Sequence, residues 1–149
     1  MTTIAWDGKT LAVDSSASRA DTLMSIKTKK LFLNIGRFKA IAFCGTMHDA
    51  GPLLDWIEAG EKDEIPKSDG EFILVCVDQK GACHTIHDGG TANFRKHKES
   101  LAHGSGQLVA LGALDAGATA VAALRIACRR DVYTGGRVRS YTFSEELEK

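Results

Sequence analysis

The tripeptide Asp7-Gly8-Lys9, set between the extended runs 2–6 and 10–13, marks a tight hairpin and makes the beginning of the chain a β-strand. Termini normally fray, and only a strand paired in a sheet holds the first residues in a fixed place. That constraint carries chemistry, because the second residue is Thr2. Removal of Met1 would leave Thr2 with a nucleophilic Oγ and, in its own α-amine, a base of ordinary pKa about 7.7 to 8.0. Position does not single it out, since small residues after an initiator methionine are common. The rest of the chain has to supply the reason.

Residues 23–27, 31–34 and 40–44 form a second extended region, with a turn around Gly36. Residues 49–59 are the first helix: Leu53, Leu54, Trp56 and Ile57 give an apolar face, and Pro52 falls in the first turn. Residues 62–70 are polar and contain Pro66, which predicts a loop. Residues 71–77 and 82–87 read as a hairpin around Gln79-Lys80, and the polar stretch 88–100, broken by Gly89-Gly90, fits no element cleanly. Helices over 106–116 and 119–130, separated by Gly117, precede a last strand over 137–143. With helices grouped rather than alternating with each strand, the order predicts an α+β layered fold and not a doubly wound parallel sheet.

At 149 residues the chain suits a single domain over 1–149, enough to bury about 68 to 70% of its unfolded surface. Nineteen basic and nineteen acidic side chains cancel. That balance offers no electrostatic case for nucleic acid or an anionic membrane, and leaves little repulsion between copies. The most apolar region, 107–128, is interrupted by Gly112, Asp115, Gly117 and Arg125, so no membrane span is expected. The N-terminus lacks the basic-then-apolar pattern of a secretory signal. Four cysteines in that context are expected to be reduced thiols of a cytoplasmic protein.

Asp14 ends the strand opposite Thr2, and Lys30 opens a later strand behind the run Lys27-Thr28-Lys29-Lys30. A lysine beside an N-terminal threonine favours its neutral amine and ionised hydroxyl, and a carboxylate holds that lysine charged and oriented. His103-Gly104-Ser105-Gly106 opens a helix, with Ser105 a good N-cap. It is no dinucleotide fingerprint, because Val109 stands where the third glycine belongs. Asp131-Val132-Tyr133-Thr134-Gly135-Gly136 closes the next helix with a turn.

Thr2-Thr3-Ile4, Asp14-Ser15, Lys29-Lys30, Phe43-Cys44-Gly45 with Asp49, Gly104-Ser105-Gly106 and the Asp131 to Gly136 segment resemble, in order, the landmarks of proteasome β subunits and the bacterial HslV peptidase. The 16-residue separation of Asp14 and Lys30 matches the family spacing. Segment 104–117 looks like the β-subunit helix that follows Gly-Ser-Gly.

The resemblance implies an N-terminal nucleophile hydrolase with a four-layer αββα sandwich, acting as a threonine-type peptidase without metal or cofactor. By that analogy Thr2 is the nucleophile, Lys30 tunes it and Asp14 orients Lys30. Ser105, Asp131 and Thr134 form the polar shell around the free amine, and the Gly45 N–H supplies an oxyanion hole. The main chain near Ser18 and Phe43-Cys44-Gly45 would pair with an extended peptide, with Thr28, Phe32 and Phe43 as walls of a specificity pocket. Implied partners are a peptide or unfolded protein, further copies in a homo-oligomeric ring, and an ATPase unfoldase. Maturation would follow methionine removal, with no self-cleaved propeptide.

The chain departs from the family where Thr134 replaces a serine and where Ser16 and Ser18 replace an arginine and a threonine. The paired helices after the central strands appear as one, which predicts a shortened helical layer and leaves ring size and unfoldase docking open. Two other readings remain: an amidase acting on a small amide, and an inactive ring-forming scaffold.

Other groupings are weaker in chemistry. Cys83 and His87 share a strand face but lie about 13 Å apart, too far to ligate one ion. Cys76 and Cys83 become cross-strand neighbours if Gln79-Lys80 is a two-residue turn, and Cys44 and Cys128 lack a catalytic context. Phe94-Arg95-Lys96-His97-Lys98 is a basic patch suited to solvent or a partner.

Overall fold

A computed structural model describes residues 1–19, 22–68, 70–87, 93–97 and 99–144, with the backbone alone for 19 and 93–97. The N-terminal hairpin forms as its turn chemistry requires. Strands β1 (Thr3–Trp6) and β2 (Thr10–Val13) pair antiparallel, Ile4 opposite Val13 and Trp6 opposite Leu11. Gly8 takes φ +98°, and the Asp7 carboxylate accepts the Lys9 and Thr10 N–H groups at 2.9 and 2.7 Å. Its other oxygen accepts the Ala120 N–H at 2.8 Å, which ties the hairpin turn to the start of a helix.

A short hairpin, β3 (Ala17–Arg19) and β4 (Thr22–Ser25), follows. Strands β5 (Leu31–Ile35), β6 (Phe38–Cys44), β7 (Ile73–Asp78), β8 (Cys83–His87) and β9 (Asn93–His97) make a five-stranded antiparallel meander. Helix α1 (Ala50–Glu58) lies between β6 and β7 in sequence. Strand β10 (Leu101–Gly104), helices α2 (Gln107–Asp115) and α3 (Ala120–Arg130), and β11 (Arg139–Thr142) complete the chain. The second sheet runs β10-β1-β2-β11, so β1 is flanked on both sides.

Strand alternation divides the apolar residues among three clusters. Ile4, Trp6, Leu11 and Val13 pack against Leu31, Ala40, Ala42, Val75 and Val77 between the two sheets. The opposite face of the five-stranded sheet, with Phe38, Ile41, Phe43 and Leu74, meets Leu53 and Ile57 of α1. Ala5, Ala12 and Ala102, on the far face of the four-stranded sheet, are small enough to admit Ala110, Ala120, Ala123 and Leu124 of α2 and α3 closely. This is an α+β arrangement, as the grouping of helices and strands predicts.

Three features depart from the sequence reading. The sequence pattern does not mark β3 or β10, because three or four residues carry no measurable period. Strand β9 falls inside the stretch 88–100, whose Asp88-Gly89-Gly90 breaker lies outside the described residues, as do Lys98 and the side chains of the basic patch 94–98. The β7–β8 turn is a three-residue loop, with Gly81 at φ +83°, rather than a two-residue turn at Gln79-Lys80. One extra turn residue moves the register by one, so Cys76 faces His84 and Cys83 faces Val77. Cys76 and Cys83 then point to opposite faces of the sheet, into different clusters, and both are free thiols.

Candidate active site

Thr2 sits immediately before β1 and is held by what flanks that strand. The Ser105 N–H donates to the Thr2 carbonyl at 3.0 Å, and the Asp14 N–H donates to the Thr3 carbonyl at 3.3 Å. Gly104 makes the first contact possible: at φ +109° its backbone comes so close that a Cβ would lie 1.7 Å from the Thr2 carbonyl oxygen. Thr2 is 4% exposed. It lines a cleft of about 950 Å³ together with Ser18, Lys30, Gly45 and Ser105.

Beneath the cleft lies a buried ion pair. Lys30 Nζ is 2.8 Å from Asp14 Oδ1, with the two side chains 1% and 0% exposed. The Asp14 carboxylate also accepts the Thr3 N–H at 3.3 Å, the Ser16 hydroxyl at 3.0 Å and the Gly135 N–H at 3.1 Å. Lys30 donates a further hydrogen bond, at 2.9 Å, to the carbonyl oxygen of Met1. The cation is therefore directed to the peptide bond that precedes Thr2.

A second polar group stands at the start of α2. Ser105 Oγ donates to Asp131 Oδ2 at 2.6 Å, and the Thr134 hydroxyl donates to the same oxygen. Thr134 Oγ1 lies 2.7 Å from Thr3 Oγ1, which accepts the Gly106 N–H at 2.8 Å. Burial pushes the Asp131 carboxyl up, but the hydrogen bonds from Ser105, Thr134 and the Tyr133 amide, with the N-terminal charge, outweigh it and hold it below the usual range. Ser105 does not cap α2 through its side chain; its hydroxyl is committed to Asp131.

Asp14 with Lys30, and Asp131 with Ser105 and Thr134, thus form two groups that meet at Thr3, and Lys30, Ser105 and Gly45, the last at φ +154°, line the cleft with Thr2. A Cβ at Gly45 would press within 3.0 Å of Phe43 and Phe72, so this backbone turn admits only glycine without rearrangement. Thr28, Phe32 and Phe43 are not brought to the cleft. Phe43 is fully buried against α1, and Phe32 packs on that same side of the sheet with Lys29 over its ring at 5.3 Å. Strand alternation is the cause: on β6 it is Cys44, next to Phe43, whose residue lines the cleft. Thr28 is half-buried and donates its N–H to the Ser15 carbonyl at 2.8 Å.

Sequence reasoning missed Thr3, Gly104, the Gly135 N–H and the Met1 carbonyl as members of the site. Thr3 had a signal: as the residue after Thr2 on a strand, its side chain points to the opposite face, toward α2 and α3. Burial pushes the thiols of Cys44, Cys76 and Cys128 up, and that of Cys83 to about 12, so none is a ready thiolate. Among the described residues, no three His, Cys, Asp or Glu side chains group as a metal site, and no helix is long and apolar enough to cross a membrane.

No family model matches the chain, and no curated protein matches it either. Solved structures do. BPH from Thiobacillus denitrificans in complex with epoxomicin aligns with TM-score 0.68 at 14% identity, over 98% of this chain and 99% of that one. A second BPH structure from that organism gives 0.68 at 16% identity, over 99% of each chain. HslV from Trypanosoma brucei gives 0.68 at 20% identity, over 95% of this chain and 98% of that one. The chain has the fold of HslV- and proteasome-like peptidases.

Two measurements check the site. Lys30→Met leaves Asp14 charged and buried, and is expected to cost about 3 to 5 kcal/mol in urea unfolding. Adding Asp14→Asn should recover at least half of that loss; no recovery would mean that the two side chains do not act as a pair. Asp131, held below its unfolded value, stabilises the fold above that value, and the contribution is lost as pH falls through the folded one. Ser105→Ala removes one donor and should move the carboxyl's NMR titration midpoint upward; an unmoved midpoint would contradict the assignment.

Proposed function

We propose that the chain is a threonine-type peptidase of the N-terminal nucleophile class, with Thr2 as nucleophile once the peptide bond before it is cut. The observation that carries this reading is the convergence at Thr2: Lys30, ion-paired to Asp14, points a second hydrogen bond at the carbonyl directly before Thr2. An apolar pair would fill the volume of Lys30 and Asp14 as well as the ion pair does, and a cation fixed there favours an ionised hydroxyl beside it.

In the freed form the α-amine of Thr2 takes the proton of its own Oγ, directly or through a water held near Ser105, Asp131 and Thr134. Oγ attacks the scissile carbonyl, and the Gly45 N–H stabilises the oxyanion, an interaction whose general worth is about 3 kcal/mol. The C–N bond breaks as the Thr2 ammonium returns the proton to the leaving amine. Water, deprotonated by the same amine, then hydrolyses the Thr2 ester and releases the acid. Substrate main chain pairs near Ser18 and Gly45, which both line the cleft.

We read residues 1–149 as one domain in four layers, with α1 on one side of the paired sheets and α2 and α3 on the other; the three apolar clusters support it. A cytoplasmic ring of identical subunits, taking peptide or unfolded protein with an ATPase unfoldase as the feeding partner, follows the same reading. Near-zero net charge and the exposed Leu23, Met24, Leu108 and Val132 support self-association.

Peptide hydrolysis by protein that begins at Thr2 is expected to fall by at least about 10² to 10⁴ in Thr2→Ala, with the urea midpoint unchanged. Thr2→Ser should keep part of the rate. Undiminished turnover in Thr2→Ala would remove Thr2 as the nucleophile.

A further inference from the structure

The segment that leads into β7 runs directly beside Gly45. On the paired strands Phe43 stands opposite Leu74 and Cys44 opposite Ile73. Continued past the last pair, that register sets Phe72 beside Gly45 and Glu71 beside Thr46. The contacts agree: a Cβ on Gly45 would lie 3.0 Å from Phe72 Cβ and 3.2 Å from the Glu71 carbonyl oxygen. Alternation then decides the faces. Phe43, Phe72 and Leu74 are buried on the α1 side, whereas Cys44, Thr46 and Glu71 line the cleft.

Glu71 thus has its backbone fixed against the glycine of the candidate oxyanion site, and its side chain is exposed on the cleft. The other charged or titratable side chains that line the cleft among the described residues are Lys30 and His48. Lys30 is held by Asp14 at 2.8 Å, and His48 Nε2 lies 3.7 Å from the carboxylate of buried Asp49. With the Lys30 charge matched by Asp14, the wall formed by His48, Asp49 and Glu71 is net negative whether or not His48 carries a proton. Met47, half-buried against the cluster on the α1 side, lines the cleft as well.

A flexible thioether next to a carboxylate suits one kind of side chain: a long apolar stem that ends in a cation. A carbonyl that accepts the Gly45 N–H carries its own side chain past the residues that flank Gly45. We propose that Glu71 makes the cleft select lysine or arginine on the residue whose carbonyl Thr2 attacks, with the stem on Met47 and the cation at Glu71. A substrate carboxylate in that place meets a like charge and is rejected. This rests on the proposed function in taking Thr2 as the nucleophile, because that choice decides which substrate residue lies beside Gly45.

The test uses acetylated tetrapeptides that differ only in the last residue, lysine, leucine or glutamate, each with a C-terminal coumarin amide. Hydrolysis is followed with protein that begins at Thr2, and binding is measured by calorimetry with its Thr2→Ala variant. The lysine peptide is expected to exceed the leucine peptide about tenfold in kcat/KM and in affinity, with the glutamate peptide weakest. Glu71→Gln should cut the lysine-to-leucine ratio to about one, and Glu71→Lys should turn the preference toward glutamate, a gain that misfolding cannot produce. Added salt should lower the ratio as well. Equal ratios for the three peptides, no binding of the lysine peptide, or a lysine preference that survives Glu71→Gln overturns the proposal. Hydrolysis without a lysine preference removes the role of Glu71 and leaves the nucleophile standing, whereas selective binding without hydrolysis does the reverse.

Discussion

A lysine ammonium and an aspartate carboxylate 2.8 Å apart, both almost fully buried, are stable only with further hydrogen bonds around them. Asp14 obtains its answers from Thr3, Ser16 and Gly135, and Lys30 from the Met1 carbonyl. The pair and those partners come from the chain start, the segment at and just after the end of β2, the turn after α3 and the entry to β5. The pair therefore fixes four segments against one another, and whatever moves one of them leaves a buried charge unsatisfied. Replacing it with apolar side chains would be the cheaper way to fill that volume. Its retention at this point, beneath a cleft and directed at one peptide bond, fits a chemical task.

The second polar group depends on the first. Thr3, whose N–H goes to Asp14, sends its hydroxyl to the opposite side of β1, where it meets Thr134 and the Gly106 N–H. Through Thr134 it reaches Asp131 and Ser105. Strand β1 is thus the partition between the cation and the hydroxyl–carboxylate group. Thr3 touches both groups, and Thr2 precedes it at the head of the strand.

Much of this was legible in the residues. The Asp7-Gly8-Lys9 turn marks the first hairpin, and the apolar face of 49–59 and the segments 106–116 and 119–130 parted by Gly117 predict three helices whose positions agree with α1, α2 and α3. Asp14, Lys30, Ser105, Asp131 and Thr134 were named by resemblance, and the folded chain brings them together. What the residues hid has physical causes. Strand β10 is only four residues long, the β7–β8 loop turns on a single glycine, and strand alternation decides that Cys44 rather than Phe43 borders the cleft. Backbone partners such as the Gly135 N–H and the Met1 carbonyl carry no side-chain signature at all. The Gly104 approach to Thr2 is likewise a matter of backbone distance, invisible until the strands are paired.

In the proposed mechanism the base is the free amine of Thr2, and a residue joined in front of Thr2 removes that base while leaving Lys30 in place. The most direct test is to treat protein beginning at Thr2, and protein retaining Met1, with a peptide epoxyketone that reacts with both the hydroxyl and the amine of an N-terminal threonine. Mass mapping of the adduct is predicted to place it on Thr2 in the first protein and to find none in the second. An adduct elsewhere, none on a free Thr2, or equal labelling of the Met1-bearing chain would contradict the account.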